Sequence, residues 1–256
     1  MCFSQYFDIL GVAETHLIQD STLDLDGYRW FGFNRQNIHC RARLGSGGVG
    51  FLVKNEMLNC FNVSVLEQPC EGIMWLKMQH KYENFTLLPC VCYLPPENSS
   101  RYFDVNTFYE QLLMDIFKYQ NDGLVFICGD FNSRCGSLHD YISGVDVLPE
   151  RNTVDFTINS YGELFIDFLI NTNLCILNGR NSVKNDFTSI SVKGCSVVDY
   201  CITPYDSLNY FTEFTVTRTT DLINKAYALS VLAPSSIPDH SLLSWNIVFN
   251  VRIGVM

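Results

Sequence analysis

The sequence predicts an α/β (α+β) layered sandwich. Three observations carry that prediction: short apolar runs of strand length recur along the chain, turn residues separate them, and two stretches switch to helical spacing. The first run, Ile9–Ala13, is continuous and apolar, as a strand covered on both faces would be. Val49–Val53 follows the glycine-rich Gly45-Ser46-Gly47-Gly48, which lacks the Lys-Ser/Thr of a phosphate-binding loop and reads as a hairpin leading into a strand. Ile73–Met78, Phe85–Tyr93, Leu124–Cys128, Val197–Ile202 and Leu242–Phe249 complete the strand set. Pro89 cannot donate to a ladder, so it should sit at an edge or a bulge. Val105, Phe108, Leu112 and Ile116 recur at helical spacing with Asp104 or Asn106 as a cap, and Leu164, Phe165, Phe168 and Leu169 do the same after Gly162.

A chain of 256 residues is long enough for one large domain with a substantial core, expected over residues 1–256 with its body between about 8 and 249. Hydrophobic residues at 47% and charged residues at 17% exclude a disordered chain or a highly charged coiled coil. The formal charge of −10 argues against binding nucleic acid by bulk attraction alone. It does not exclude a nuclease, because metal-binding carboxylates feed the same deficit. Eleven scattered cysteines include Cys90-Val-Cys92, one residue short of a C-x-x-C site. No apolar run approaches the ~20 residues of a membrane span, and Met1–Ser4 does not open a signal peptide. Reduced, buried thiols in the cytosol or nucleus are the expectation.

Polar residues at the ends of apolar runs are where chemistry is expected. Ile9–Ala13 runs into Glu14-Thr15-His16, and Leu124–Cys128 into Gly129-Asp130-Phe131-Asn132. Val197-Val198 meets Asp199, and Ile237-Pro238 meets Asp239-His240. Each alone fits an ordinary turn residue. Together they offer oxygen ligands for a hard cation and one imidazole suited to proton transfer, at the strand ends where open sheets place ligands. A serine hydrolase lacks its G-x-S-x-G elbow, and zinc lacks an H-E-x-x-H or paired histidine spacing.

Six strings in order resemble the endonuclease/exonuclease/phosphatase superfamily, and within it the endonuclease domain of non-LTR (LINE-type) retrotransposons. They are Ile9–Leu17, Tyr93-Leu94-Pro95-Pro96, Gly129-Asp130-Phe131-Asn132-Ser133, Asn159–Leu164 with Leu177-Asn178-Gly179, Ser196-Val197-Val198-Asp199-Tyr200, and Pro238-Asp239-His240-Ser241. The resemblance implies a four-layer sandwich of two mixed sheets flanked by helices. It implies a monomeric, Mg²⁺- or Mn²⁺-dependent enzyme that hydrolyses phosphodiesters in DNA by nicking one strand. By resemblance Glu14 is a metal ligand, Asp239 supports the metal, and Tyr93 contacts the scissile phosphate. Asp130 and Asn132 position the attacking water and hold a phosphate oxygen, Asp199 orients the catalytic imidazole, and His240 is that imidazole. Thr188 and Ser196 match additional phosphate or DNA contacts. Two alternatives stand beside this: a phosphatase of inositol or lipid phosphates, and an inactive retroelement remnant. Members of the superfamily carry a strand with an asparagine, then a helix, ahead of the metal-ligand glutamate. Only thirteen residues precede Glu14, so Met1–Phe7 is expected to supply neither element, as in a truncated reading frame without a reverse transcriptase.

Overall fold

A computed structural model describes residues 7–34, 47–67, 70–97, 99, 104–226 and 238–249. The chain opens with β1 (Ile9–Ala13), β2 (Tyr28–Phe33), β3 (Val49–Lys54) and the short α1 (Asn55–Cys60). Next come β4 (Phe61–Val65), β5 (Ile73–His80), β6 (Thr86–Tyr93), α2 (Val105–Tyr119) and β7 (Leu124–Asp130). After α3 (Ser160–Thr172) follow β8 (Leu174–Ile176), β9 (Ser182–Lys184), β10 (Ser189–Ser191), β11 (Gly194–Ser196) and β12 (Asp199–Pro204). A 3₁₀ turn at Tyr205–Tyr210 leads to β13 (Phe211–Thr217), α4 (Thr219–Ala226) and β14 (Leu242–Ile247).

β7 lies inside a six-stranded mixed sheet of order β4-β5-β6-β7-β12-β8. Its alternate residues face opposite ways, which is why its run is apolar throughout. Val125 and Ile127 join Leu88, Cys90 and Cys92 under α2 and α3, whose Phe108, Leu112, Phe165 and Leu169 are fully buried. Each such side chain contributes roughly 1.5–3 kcal/mol of burial. On the other face, Leu87 and Val91 pack against the antiparallel sheet β1-β3-β2 through Val49, Phe51 and Val53. Phe126, Cys175 and Cys201 pack against a second small sheet, β14-β13-β9, through Phe211, Phe214 and Val216. The result is a mixed α/β sandwich, as the sequence predicts.

Caps explain where the two long helices begin. Asp104 accepts from Asn106 N at 3.2 Å, and Asn159 accepts from Gly162 N at 2.8 Å, so α3 starts at Ser160, ahead of Gly162. Pro89 departs from expectation: it lies in β6, an interior strand between β5 and β7. The β5–β6 ladder lapses there, passing from Trp75↔Cys90 to Met78↔Leu87, because a proline has no N–H to offer. The strand expected from Val197 begins at Asp199. Gly47 and Gly48 do lead into β3, and their carbonyls accept from His16 N and Thr15 N at 2.9 and 3.1 Å. A Cβ on Gly48 would stand 2.5 Å from Thr15 Oγ1, and its φ is +83°. The segment 35–46 lies outside the described residues, as does Met1–Tyr6 of the N-terminal expectation. β1 carries β3 on one edge and no strand on the other among the described residues. Among them, too, no helix is long and apolar enough to cross a membrane, and Cys70, Cys90, Cys92, Cys135, Cys175 and Cys201 are buried free thiols.

Topology sets the place for chemistry. β6 and β7 are parallel, so they end side by side, with Tyr93 paired to Asp130. β12 runs antiparallel to β7 and begins at the same edge, with Asp199 opposite Asp130.

Candidate active site

Asp130 is 4% exposed, and Asp199 is its cross-strand neighbour. Like charges directly opposite in a sheet repel, and burial removes the water that would screen them. Burial, then the charge of Asp199 and that of Glu14, push the Asp130 carboxyl well above its ordinary range, against the pull of His240 and Asn132 N. Asp130 Oδ1 accepts from Asn132 N and Oδ2 from Asn132 Nδ2, both at 2.9 Å. Asn132 Nδ2 also donates to Leu94 O at 2.8 Å, so both amide hydrogens are spent on holding Asp130 and the end of β6. The turn depends on Gly129: its φ is +143°, and a Cβ there would meet Cys92 O at 2.0 Å.

His240 stands across from this pair. Its Nδ1 lies 3.0 and 2.9 Å from the two Asp199 oxygens. That hydrogen bond, opposed by burial and helped by the charges of Asp199, Asp130 and Glu14, raises the imidazole to about 9. The ring is therefore charged at neutral pH. Its backbone is fixed from three sides: it bridges Ser189, its carbonyl accepts from Thr219 Oγ1, and Ser241 N donates to Thr188 O at 2.6 Å. Asp199 is held as firmly. Thr188 Oγ1 accepts from the N–H groups of Val198 and Asp199, both at 3.0 Å. Asn178 Nδ2 donates to Asp199 O at 3.0 Å, while its Oδ1 accepts from Cys201 N at 3.1 Å.

The donor atoms of Asp130, Asp199 and His240 lie within 4.8 Å of one another, a set able to hold a metal ion. A buried carboxyl kept proton-rich by two neighbouring acids is the situation a divalent cation relieves, and oxygen donors suit a hard one. Glu14 ends β1 with a left-handed φ of 51°, and its charge acts on both Asp130 and His240. Asp239 is exposed, and its carbonyl accepts from Ile190 N at 2.8 Å.

The other expected residues are placed as follows. Tyr93 is buried next to Asp130, with its ring facing Gly47, where a Cβ would stand 3.5 Å away. Thr188 is fully buried, so its hydroxyl acts on Asp199 through the backbone rather than at the surface. Ser196 pairs with Ser189 across the β10–β11 hairpin and is half-buried. Sequence reasoning overlooked Asp155, and gave Asn159 no role beyond opening the Asn159–Leu164 string. Asp155 accepts from Arg134 Nε at 2.8 Å, Arg134 Nη2 at 2.7 Å and Val197 N at 2.9 Å. Asn159 accepts from Arg134 N at 2.8 Å and donates to Asn132 O at 3.1 Å. Asn159 carries a helix-cap signature; nothing local marks Asp155.

The sequence profile of the Endonuclease/Exonuclease/phosphatase family matches residues 3–217. The chain belongs to this family. Several solved structures share the fold at low identity. The endonuclease domain of TRAS1, a telomere-specific non-LTR retrotransposon, is 15% identical with a TM-score of 0.59, over 96% of this chain and 89% of that one. The AP endonuclease LMAP from Leishmania major is 12% identical with a TM-score of 0.65, over 96% and 80%. The 3′ phosphatase NExo from Neisseria, bound to product DNA hairpin, is 11% identical with a TM-score of 0.58, over 94% and 89%. Among curated proteins no sequence match is found. Family membership supports phosphoester hydrolysis as the general chemistry of the chain.

Proposed function

We propose that the chain is a DNA endonuclease of the retrotransposon type that nicks one strand with Mg²⁺ or Mn²⁺. The observation that carries this is the charged His240 held by Asp199 directly across the ladder from the buried Asp130. Phosphodiester hydrolysis needs an activated water, neutralisation of the phosphate and a stabilised leaving oxygen. Asp199 occupies Nδ1 of His240, which leaves Nε2 as the ring's donor to a phosphate oxygen. Asp130, once ionised, orients the attacking water or accepts its proton, and Asn132 keeps that carboxylate aimed. Tyr93 borders the phosphate from the end of β6. Glu14 would hold the metal, with Asp239 in support. A divalent ion there would add neutralising charge at the phosphate. Ser196 would meet the substrate backbone beside the β10–β11 hairpin, whose tip at Val192 is fully exposed.

The acidic balance of −10 favours one other reading, a phosphatase acting on inositol or lipid phosphates. Supercoiled plasmid and inositol phosphates offered separately, with Mg²⁺, decide between them. Open-circle DNA without released phosphate supports the endonuclease. Phosphate release without nicking supports the phosphatase, and neither product supports an inactive remnant.

A further inference from the structure

The β7–β12 ladder stops where the chemistry begins. Its register runs from Ile202↔Ile127 to Asp199↔Asp130, so the two acids form its last pair. One backbone bond continues past them, from Phe131 N to Val198 O at 2.9 Å. Like charges directly opposite push two strands apart. They do so most when Asp130 is ionised, the form that can activate water. Strand ends under that repulsion need fastening from outside the ladder.

Asp155 fastens them. It is 7% exposed, and its carboxylate accepts from Arg134 Nε at 2.8 Å, Arg134 Nη2 at 2.7 Å and Val197 N at 2.9 Å. Arg134 lies on the segment that leaves β7 after Asp130, and Val197 on the segment that enters β12 before Asp199. One buried carboxylate therefore joins the two. The fork of Arg134 fixes direction as well as distance. Burial raises Asp155, but the bonds from Arg134, Val197 N and Thr157 N outweigh it and hold the carboxyl below its ordinary range. Two neighbours brace the same segments. Asn159 accepts from Arg134 N at 2.8 Å and donates to Asn132 O at 3.1 Å. The Tyr200 hydroxyl lies 2.9 Å from both Ser133 O and Val197 O.

We propose that Asp155 is a positioning residue for phosphoester hydrolysis: through Arg134 and Val197 it keeps Asp199 and Asp130 aligned while both carry charge. The inference rests on the hydrolytic reading of the site and adds to it a buried group that touches no substrate. The test is a mutant cycle on plasmid nicking by the full chain in Mg²⁺, with Asp155→Asn, Asp199→Asn and the double variant, each assayed well below its thermal midpoint. Asp155→Asn should lower kcat about tenfold and leave KM unchanged. In the double variant Asp199 no longer repels Asp130, so Asp155→Asn should cost less than about threefold beyond Asp199→Asn alone. A residue that only stabilises the fold would lower the thermal midpoint and leave kcat alone, or cost the same factor in both backgrounds. Arg134→Lys keeps the cation but not the fork; it should lower kcat in the same way, and it takes the place of Asp155→Asn in the cycle if that variant does not fold. Wild-type kcat in these variants, a loss seen in KM alone, or losses that multiply in the double variant would overturn the positioning role and leave the nuclease reading intact. A wild-type chain that releases phosphate from inositol phosphates and does not nick would overturn the nuclease reading, and the same cycle on that substrate then decides the positioning role. A wild-type chain with neither activity would overturn both.

Discussion

Replacing Asp199 with asparagine removes the charge that keeps His240 protonated while preserving the shape of the pair. The His240 Nδ1 contact at 2.9 Å is the first cause of its raised pKa of about 9, and the Asp199 charge adds to it. At pH 7.5 a group of pKa about 9 is roughly 97% charged, whereas one at the ordinary 6.5 is roughly 10% charged. If the charged ring is the donor to phosphate, Asp199→Asn should lower kcat about tenfold at pH 7.5 from this cause alone. The sign follows from the direction of the shift. A raised histidine is stabilising below the unfolded value and loses that contribution as pH rises through about 9, so wild-type activity should fall on that alkaline limb. In the variant the limb should move toward 6.5. Titration of the His240 ring protons by NMR in the metal-free protein gives the pKa directly, and the pH profile of plasmid nicking gives its consequence. An unmoved His240 pKa in Asp199→Asn would refute the electrostatic argument. A loss of metal affinity as large as the loss of turnover would instead make Asp199 a ligand.

Thr188→Val keeps the volume but strands the N–H groups of Val198 and Asp199, each buried donor costing about 1–3 kcal/mol. Thermal unfolding should show that loss, and kcat should fall with little change in KM; a rise in KM alone would restore Thr188 to the DNA surface. Gly129→Ala forces a Cβ to within 2.0 Å of Cys92 O between two core strands, and chemical denaturation should register a loss above about 3 kcal/mol. Burial raises Asp140, but the paired bonds and charge of Arg180 outweigh it and hold the carboxyl below its ordinary range. Its contribution is therefore present at neutral pH and lost as pH falls through that lowered value. Asp140→Ala should cost about 3–5 kcal/mol at pH 7, and the difference from wild type should shrink as pH falls through that lowered value, by urea unfolding across an acid series.

Strands written as continuous apolar runs were the easiest to read from sequence. Leu124–Cys128 is a continuous apolar run because it lies inside the large sheet, and Ile9–Ala13, though only half-buried at a sheet edge, also appears where expected. β13 escaped notice because its ladder shifts between Thr212 and Thr215, which breaks the alternation of Phe211, Phe214 and Val216. β2 interrupts its aromatic residues with Arg29 and Gly32. Pro89 misled because pairing along one edge can lapse inside a sheet. The ends of β7 and β12 announced Asp130 and Asp199 through composition, and topology then placed them opposite each other. Asp155 could not be read, since its partners Arg134 and Val197 lie 21 and 42 residues away. Thr188 looks like any surface hydroxyl in sequence; only the return of the chain after β11 buries it.

Conversion of supercoiled plasmid to open circle, followed with the wild-type chain, Asp130→Asn and His240→Ala in Mg²⁺ and in EDTA, tests the central claim most directly. The account predicts nicking by the wild type in Mg²⁺ alone, and a loss of at least about 10²-fold in each variant. Wild-type rates in either variant, or nicking that persists in EDTA, would contradict it.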